Sequence, residues 1–471
     1  MSVPAQVVVA GGGLAGIAAA LRCADGGARV TLVERQQRLG GLTWSFEHHG
    51  RWVDNGQHVF LRCCTEYLAF LERIGSAGDV TLQDRLDITV IRPSATPGGA
   101  PVTGRLRRSA LPAPLHLVGA LGRYPHLQLR DRLALGRAVW ALRALRLGEP
   151  SLDRETFGAW LAARGQSSAA VAALWDLITV PTVNLPAAEA SLAMGAKVFQ
   201  TGLLRRSDAA DIGWSRVPLG RLHGERAAQA LARAEVKVRR GVRVLSIEAR
   251  DGPQPRWVVR TGSEGGGPGT SALEADAVVV AVAHPEAAAV LPTGALPHQD
   301  RLADLGQSPI IDVHLVFDRP VMALPFVAAV GSPLQWIFDR TASSGMPAGP
   351  GAPQYLAASL SSARDLLGRL PGDLGSWAVA ELARLLPAVR QARLVDTLVT
   401  KERAATFAAV PGTAALRPPA RTLHPGLAVA GAWTDTGWPA TMEGAVRSGH
   451  AAAAAVLGAD RPQQSFDEEV A

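Results

Sequence analysis

Three glycines near the start of the chain, Gly11, Gly13 and Gly16, have the spacing of a turn that binds a pyrophosphate. They follow the apolar run 7–10 and precede the apolar stretch 17–21, so they predict a tight connection between a buried parallel strand and a helix. The first glycine permits the bend, the second lets backbone N–H groups reach the phosphates, and the third lets helix and strand pack closely. The chemistry indicated is dinucleotide binding at a helix N-terminus.

A second predicted strand, 28–33, ends in Glu34, about 20 residues beyond the glycines, where a carboxylate accepts the hydroxyls of an adenosine ribose. Arg35 follows and is a further expected cofactor contact, although Glu34 would repel a 2′-phosphate. Leu14 and Ala15 open the predicted helix, and we expect them to contact the pyrophosphate.

Two more glycine-rich stretches indicate which dinucleotide binds. Gly40 and Gly41 give a second close backbone approach, which a nicotinamide domain does not normally need. Near the other end of the chain, a predicted strand at 427–430 precedes a glycine-rich loop and a helix whose N-terminus suits the pyrimidine end of a flavin. FAD therefore fits better than NAD. The cofactor contacts expected from these stretches are Gly40, Gly41, Leu42, Gly431, Ala432, Thr441 and Met442.

Two side chains are candidates for proton transfer. His58 titrates in the right range, and its alternative role is a structural histidine hydrogen-bonded under the flavin. Asp435 falls beside the expected flavin position, where it acts as an acid or as a ribityl ligand. Glu443, in the first turn of the last helix, is better explained as a partner of the helix dipole.

Composition bounds the possible classes of protein. The 471 residues are too many for one ordinary core and predict two domains, and 48% hydrophobic with 19% charged residues is typical of a globular chain. The net charge of +7 is compatible with an anionic membrane surface. Nucleic acid is the weakest interpretation, because the arginines are scattered through apolar segments and aromatic residues make up only 5%.

The three cysteines, Cys23, Cys63 and Cys64, form no C-x-x-C pair and no disulfide framework, which favours a reducing cytoplasm. No metal site is predicted. The apolar first twenty residues lack the basic start of a signal peptide, and no uncharged run reaches the ~20 residues that a membrane span needs. We expect a cytoplasmic protein that rests on a membrane surface.

The order of predicted elements indicates an α/β fold in which a discontinuous Rossmann-like FAD-binding domain carries an inserted mixed α+β substrate domain. The FAD-binding segments are 1–90, 221–290 and 421–460. The substrate segments are 91–220, largely helical, and 291–420, and the tail 461–471 is expected to be disordered.

Shorter patterns predict individual elements. Strand pairs are expected around Gly50 and Gly56 within 46–60, and long helices at 127–147 and 156–180. A strand pair is expected from 236–238 and 241–247, and a hairpin loop at 264–271.

With these motifs in place, the chain resembles the FAD-dependent amine oxidase and phytoene desaturase superfamily over nearly its whole length. More narrowly, 53–60 (VDNGQHVF) with 63–67, and 433–441 (WTDTGWPAT), are similar to the hydroxysqualene dehydroxylase branch of bacterial hopanoid synthesis. The resemblance implies that Val244 gives its backbone to the adenine. One departure is Ala432, where many relatives have an aspartate that contacts the ribityl-phosphate region.

The resemblance implies a reductive dehydroxylation, in which hydroxysqualene loses its hydroxyl as water and takes a hydride from reduced FAD to give squalene. Two alternatives stay open: a carotenoid or phytoene desaturase, and a flavin-stabilised membrane scaffold without activity. The electron donor, the proton donor and the oligomeric state are not indicated.

A substrate of this kind barely dissolves in water, so the sequence also predicts where the protein meets a membrane. The apolar stretch 111–121 neighbours arginines that suit anionic lipid; the alternative is a buried loop whose arginines are simply solvated. These are Arg105, Arg107, Arg108 and Arg123. The arginines of the following helix do not gather on one face, so the sequence assigns that helix no part. The candidates to wall an apolar tunnel are Trp175, Trp214, Trp336, Trp433 and Trp438, although large aromatics at such spacing are more often plain core. Trp433 and Trp438 have the better claim because they flank the cofactor motif.

Overall fold

The computed structural model describes residues 5–96, 98–250, 256–262 and 269–458. The predicted tail at 461–471 and most of the predicted loop at 264–271 lie outside these residues. Among the described helices, none combines the length and apolar character needed to cross a bilayer.

The strands, in chain order, are β1 Gln6–Ala10, β2 Arg29–Glu34, β3 Ser45–His48, β4 Arg51–Asp54, β5 Val59–Leu61, β6 Val80–Leu82, β7 Asp87–Arg92, β8 Val102–Arg107, β9 Ile212–Ser215, β10 Lys237–Arg240, β11 Val244–Arg250, β12 Arg256–Gly262, β13 Thr270–Ala275, β14 Ala277–Val280, β15 Ser308–Phe317, β16 Phe326–Ala329, β17 Trp336–Asp339, β18 Gln354–Ser361, β19 Leu394–Thr406 and β20 Leu427–Val429.

The α-helices are α1 Leu14–Asp25, α2 Thr65–Ile74, α3 Val118–Gly122, α4 Leu129–Ala144, α5 Phe157–Ala162, α6 Ser168–Ala170, α7 Asp176–Val183, α8 Leu192–Phe199, α9 Arg226–Arg233, α10 His284–Val290, α11 Pro371–Leu385 and α12 Met442–Leu457. Three wider π-helical turns continue or join them, at Val171–Trp175, Gln200–Leu204 and Gly220–Glu225.

A five-stranded parallel sheet brings together strands from distant parts of the chain, in the order β10-β2-β1-β14-β20. Its central strands are buried on both faces, as the continuous apolar runs at 7–10 and 277–280 require. Helices α1 and α12 pack against each other on one face of this sheet, where Gly449 allows α12 to approach the backbone of Ala15. The first and last elements therefore meet at one place, as the discontinuous arrangement predicts.

A second sheet has seven strands in the order β19-β15-β18-β17-β16-β7-β8. Strand β15, next to the edge strand β19, pairs antiparallel with β18 on one side and β19 on the other. The helices between 118 and 204 pack beside this sheet around a separate apolar core that contains Phe157 and Trp175. The strands of the two sheets alternate along the chain, in agreement with an inserted substrate region; the exact domain boundaries stay a prediction.

Three local predictions were wrong. The segments at 236–238 and 241–247 do not pair with each other: β10 joins the parallel sheet beside β2, whereas β11 begins an antiparallel sheet with β12. Around Gly56 there is no hairpin, because β5 pairs with β9 instead of β4. The expected helix at 156–180 ends at Ala162 and restarts at Ser168, where Ser167 caps the new helix.

Candidate active site

A cavity of about 590 Å³ extends from the two N-terminal glycine loops to the helices at 117–139. Its wall is mostly apolar and includes Leu106, Leu135, Leu177 and Phe338. Its polar lining includes side chains of the segment 55–58 and Asp312 of β15. A pocket of this size and composition is typical of a site for a cofactor and an apolar ligand.

The N-terminus of α1 opens into this cavity through Gly13, Leu14 and Ala15. Gly13 is the N-cap and no side chain caps the helix, so its first N–H groups are available to an anion. A Cβ on Gly13 would meet only Gly41 Cα, at 3.8 Å, which leaves open space in front of the turn. Gly41 has φ +60° and lies so close to Gly13 that a side chain there would crowd it. The two glycine loops thus form one cradle.

Gly11 and Gly16 lie behind this cradle and do not line the cavity. Gly11 has φ +109°, and a Cβ on it would collide with the backbone carbonyl of Ala281. A Cβ on Gly16 would collide with the carbonyl of Gly11. Both glycines shape the turn, as the sequence predicts.

Glu34 ends β2 as a nearly buried carboxylate. Its oxygens accept the N–H groups of Gly12, at 2.6 Å, and Gln36, at 2.7 Å. This arrangement aims an acceptor at the edge of the glycine turn, where a ribose is expected. Arg35 is largely exposed and lies 3.4 Å from Glu286.

Val244 is buried at the start of β11 and does not line the cavity. The N–H of Val242, two residues earlier, donates to the backbone carbonyl of Glu34. The turn that precedes Val244 is therefore fixed beside the predicted ribose position, while its role in holding adenine stays a prediction.

The C-terminal stretch lines the same cavity through Gly431, Ala432, Thr441 and Met442. Thr441 is the N-cap of α12, and its hydroxyl accepts the N–H of Gly444 at 3.2 Å. Gly431 has φ +144°, with the Trp433 indole packed where a side chain would be. Two helix N-termini, from α1 and α12, therefore face one cavity.

The candidate acids are placed differently from each other. His58 lines the cavity, and its Nδ1 lies 3.0 Å from the carbonyl of Gly56. Burial lowers the pKa of His58, so the neutral imidazole predominates near neutral pH. Asp435 is exposed, accepts the N–H of Gly437 and is absent from the cavity wall as described. The structure does not bring Asp435 to the other predicted site residues.

Glu443 lies at the cavity wall but is fully engaged. Its carboxylate accepts the N–H of Tyr67 at 2.7 Å, at the start of α2, and pairs with Arg447 at 2.6 Å. Burial raises the pKa of Glu443. It acts as a cap for α2, whose own N-cap residue, Cys64, provides no side-chain hydrogen bond.

Two residues of the cavity wall were not predicted from the sequence. Asp312 lies on β15, and burial raises its pKa to about 7. Gln57 has a buried side-chain Nε2 with no hydrogen-bond partner among the described residues. One signal was available for Asp312, since it is a lone acid within the apolar run 309–317 of a predicted buried strand.

Four of the five predicted tryptophans line the cavity, namely Trp175, Trp336, Trp433 and Trp438. Trp214 follows the core alternative: its ring packs edge-on against Phe326 in the apolar core, and it does not line the cavity.

One group of potential metal ligands occurs in the described part of the chain. Ligand atoms of His48, His49 and Asp396 lie within 4.8 Å of one another. The Arg51 guanidinium bonds to the same Asp396 oxygen, and its fixed positive charge opposes a cation there. For this reason we do not assign a metal centre to His48, His49 and Asp396.

Comparison with known proteins agrees with this geometry. The model of the flavin containing amine oxidoreductase family matches residues 14–457. A hydroxysqualene dehydroxylase of Rhodopseudomonas palustris is 28% identical over 97% of this chain and 99% of its own length. A 15-cis-phytoene desaturase of Synechococcus elongatus is 24% identical over 96% of both chains. The solved structure of cyclohexylamine oxidase from Brevibacterium oxydans superposes with a TM-score of 0.67 at 20% identity, covering 97% of this chain and 99% of that one.

The residues present fit the cofactor of that family. The cradle of Gly13 and Gly41 is open where a pyrophosphate would lie, an uncapped helix N-terminus faces it, and Glu34 offers an acceptor beside it. The chain therefore belongs to the flavin containing amine oxidoreductase family, and it is an FAD-dependent oxidoreductase.

Proposed function

We propose that this enzyme removes the hydroxyl group of hydroxysqualene reductively and releases squalene. The observation that carries the proposal is the cavity, whose mostly apolar wall includes the buried Asp312 carboxyl and the Gln57 carboxamide, whose nitrogen has no partner among the described residues. Such a cavity suits a hydrocarbon chain with one oxygen atom. The similarity to a hydroxysqualene dehydroxylase over nearly the full length of both chains supports the same substrate.

Bound in its reduced form, FAD supplies the hydride that replaces the hydroxyl. We propose that the chain holds it through Gly13, Leu14, Ala15, Gly40, Gly41, Leu42, Gly431, Ala432, Thr441 and Met442, which line the cavity. Gly11 and Gly16 act through the shape of the turn, and Glu34, Arg35 and Val244 stay predicted contacts of the adenosine end, outside the cavity wall. The rest of the cavity orients the substrate. Its apolar side chains, such as Leu177 and Phe338, keep water away from a developing carbocation.

A phytoene-type desaturase is the second candidate, because it shares every cofactor feature and one such relative matches the whole chain. A polyene without oxygen leaves no role for a buried carboxyl and an unpartnered carboxamide in the cavity. The Asp312 carboxyl and the Gln57 carboxamide therefore favour the alcohol. A scaffold without activity is no longer a candidate, since the chain belongs to a family of oxidoreductases.

The test is a single turnover. FAD-loaded protein is photoreduced without oxygen and mixed with hydroxysqualene or with phytoene, while flavin absorbance and the isoprenoid products are followed. We expect flavin absorbance to return only with hydroxysqualene, and squalene to form in equal amount. Desaturation of phytoene by the oxidised protein, with no squalene from the reduced protein, would replace the proposal with the second candidate.

We further propose that the protein collects its substrate from an anionic membrane surface, on the cytoplasmic side. The exposed apolar side chains Leu111, Leu115 and Val118 lie in the predicted stretch 111–121. Other residues of that stretch, including Pro114, Leu117 and Leu121, line the cavity. The stretch thus has one face toward solvent and one toward the cavity.

Helix α4 extends this surface, contrary to the sequence-based expectation. Leu129, Leu133 and Trp140 recur at helical spacing and are 70%, 76% and 74% exposed. Leu135 and Val139, on the opposite side of the helix, line the cavity. An outward apolar stripe with arginines on both flanks is typical of a helix that lies in a membrane interface. The flanking residues are Arg130, Arg137 and Arg143.

A further inference from the structure

Asp312 is a buried carboxyl group of the cavity wall for which the described residues provide no salt bridge. Among the described residues of the cavity wall, the carboxylates are Asp312, Glu402 and Glu443. Glu443 is paired with Arg447, and Glu402 is partly exposed beside Asn55, with its oxygen 3.4 Å from the Asn55 amide nitrogen. Asp312 is 1% exposed.

The position of Asp312 is fixed by the sheet. On β15 it lies opposite Ser359 of β18 and Thr400 of β19, so it is paired on both sides. Its carboxyl group receives hydrogen bonds from the Ser359 side chain and from the backbone N–H of Gln57, the latter at 3.3 Å. Strand pairing on both sides leaves the backbone at Asp312 little freedom, which suits a group that must be held in place.

The second oxygen of Asp312 faces the segment 55–58. A Cβ built on Gly56 would lie 3.3 Å from Asp312 Oδ2 and 3.7 Å from His58 Cε1. The carboxyl and the imidazole therefore flank the same glycine at the cavity wall. Gln57 follows, and its buried Nε2 lacks a partner within the described structure, so it is a donor available to an oxygen atom beside Asp312.

The charges around Asp312 favour its protonated form. Burial is the main cause of the rise in its pKa to about 7, and the nearby Asp54 carboxylate adds to it, while the hydrogen bonds from Ser359 and Gln57 oppose it. The other titratable or charged groups that the described elements around it bring near are His58, His314, Tyr355 and Glu402, together with Arg340, which is paired with Asp54. Burial lowers the pKa of both histidines, so both are neutral near neutral pH.

We propose that Asp312 is the catalytic acid that protonates the departing hydroxyl, and that the Gln57 carboxamide holds the hydroxyl oxygen beside it; this inference rests on the proposed function. The carboxyl proton passes to the hydroxyl oxygen, and the C–O bond breaks with its electron pair going to oxygen. Water leaves, and the allylic carbon is reduced by the hydride that reduced FAD supplies. Asp312 is left as a carboxylate and regains a proton before the next turnover.

The test compares Asp312→Asn, which keeps the shape but has no acidic proton, with Asp312→Glu, which keeps the acid. Exposed Asp373 provides a matched control, Asp373→Asn. Each FAD-loaded protein is photoreduced and mixed with hydroxysqualene at several pH values. We expect Asp312→Asn to lose about 10²-fold or more in single-turnover rate and Asp312→Glu to recover part of the loss, because general acids contribute about 10²–10⁴-fold. The wild-type rate should fall as pH rises above about 7, and this fall should vanish in Asp312→Asn.

A second readout does not depend on activity. Infrared difference spectra of the FAD-loaded protein, titrated through neutral pH, should show a buried carboxylic-acid C=O band that is lost at high pH and is missing in Asp312→Asn. Flavin absorbance and the unfolding temperature show whether the variant is folded and loaded.

The outcomes separate the two proposals. If the wild type does not form squalene, the proposed function fails, and the role of Asp312 falls with it. A different outcome is that the wild type is active, and that the folded, FAD-loaded Asp312→Asn variant reacts within twofold of the wild-type rate with the same pH profile. In that case only the role of Asp312 is overturned. A missing infrared band in the wild type also overturns it.

Discussion

Arg340 Nη2 lies 2.5 Å from Asp54 Oδ2, and both side chains are buried. The pair joins the β3-β4 hairpin, which precedes the 55–58 segment, to the residue that follows β17 in the seven-stranded sheet. Asp54 also accepts the Ser45 hydroxyl and the N–H of Leu219. This one carboxylate therefore links three parts of the chain beside the candidate active site.

Asp54→Ala should destabilise the protein strongly, because it leaves the Arg340 charge buried without its partner. Breaking a buried pair in this way costs about 3–5 kcal/mol. The measurement is the free energy of unfolding of the FAD-loaded protein in urea. The control is Asp304→Ala, which removes the exposed Arg301–Asp304 pair and should cost no more than about 1 kcal/mol. Equal losses in the two variants would contradict this account.

Gly13→Ala should weaken FAD binding and leave the fold intact. Gly13 has φ −75°, and its added methyl group would meet open space in front of the glycine turn, where the pyrophosphate is expected. We expect affinity for FAD to fall at least tenfold, or about 1.4 kcal/mol, in a titration of apoprotein followed by flavin absorbance. Gly78→Ala is the matched control, because a Cβ there has no neighbour within 4 Å. Unchanged affinity in Gly13→Ala would argue against a pyrophosphate at this turn.

Mild acid should destabilise the protein already at pH values above the range in which carboxylates titrate. Burial lowers the pKa of His223 and of His314 to about 3, whereas an unfolded histidine titrates near 6.5. Between these values the unfolded state binds more protons, so stability present above about pH 6.5 is lost as the pH falls. Each histidine should contribute a loss of about 2 kcal/mol between about pH 6.5 and 5.

The check is the free energy of unfolding at several pH values for the wild type and for His314→Gln. His314 bonds to the Tyr355 hydroxyl at 2.7 Å and to Thr400 at 3.1 Å, both of which a glutamine amide can serve. The variant should show a shallower slope below neutral pH. Exposed His298→Asn should keep the wild-type slope. A slope that survives in His314→Gln would show that this residue is not the source.

Binding to anionic vesicles should depend on the outer stripe of α4. Replacing Leu133 and Trp140 by serine removes two of its largest exposed apolar side chains. We expect the double variant to lose at least tenfold in partitioning to vesicles that contain phosphatidylglycerol, measured by co-sedimentation. Leu370→Ser, at an equally exposed leucine outside this surface, is the control. Equal binding by the double variant and the wild type would exclude α4 from the contact.

The sequence predicted well those parts of the fold whose geometry is determined by residues only a few positions apart in the chain. Gly11, Gly13 and Gly16 sit within one strand–turn–helix unit, where spacing alone determines geometry, and Thr441 caps its helix three residues from its partner. The confirmed family and cofactor follow from these local units.

The parts that sequence could not supply depend on long-range packing. Asp312 meets Gln57 from 255 positions away, and only the sheet order decides that β15 passes under the 55–58 segment. Asp435 is the opposite case. Residues near it in the sequence are expected to contact the cofactor, but the turn in which it accepts the N–H of Gly437 exposes its side chain to solvent. The exposed apolar stripe of α4 was not predicted, because helical periodicity identifies an apolar face but does not say whether that face packs against the protein core or against a membrane.

The strand order of the parallel sheet has a consequence for biosynthesis. Its last member in chain order, residues 427–429, is made after the other four strands, and the helix that follows docks on the first one. A nascent chain that lacks these two elements has half of a cofactor pocket and an exposed apolar sheet edge. We expect the flavin to be captured only after both elements have docked.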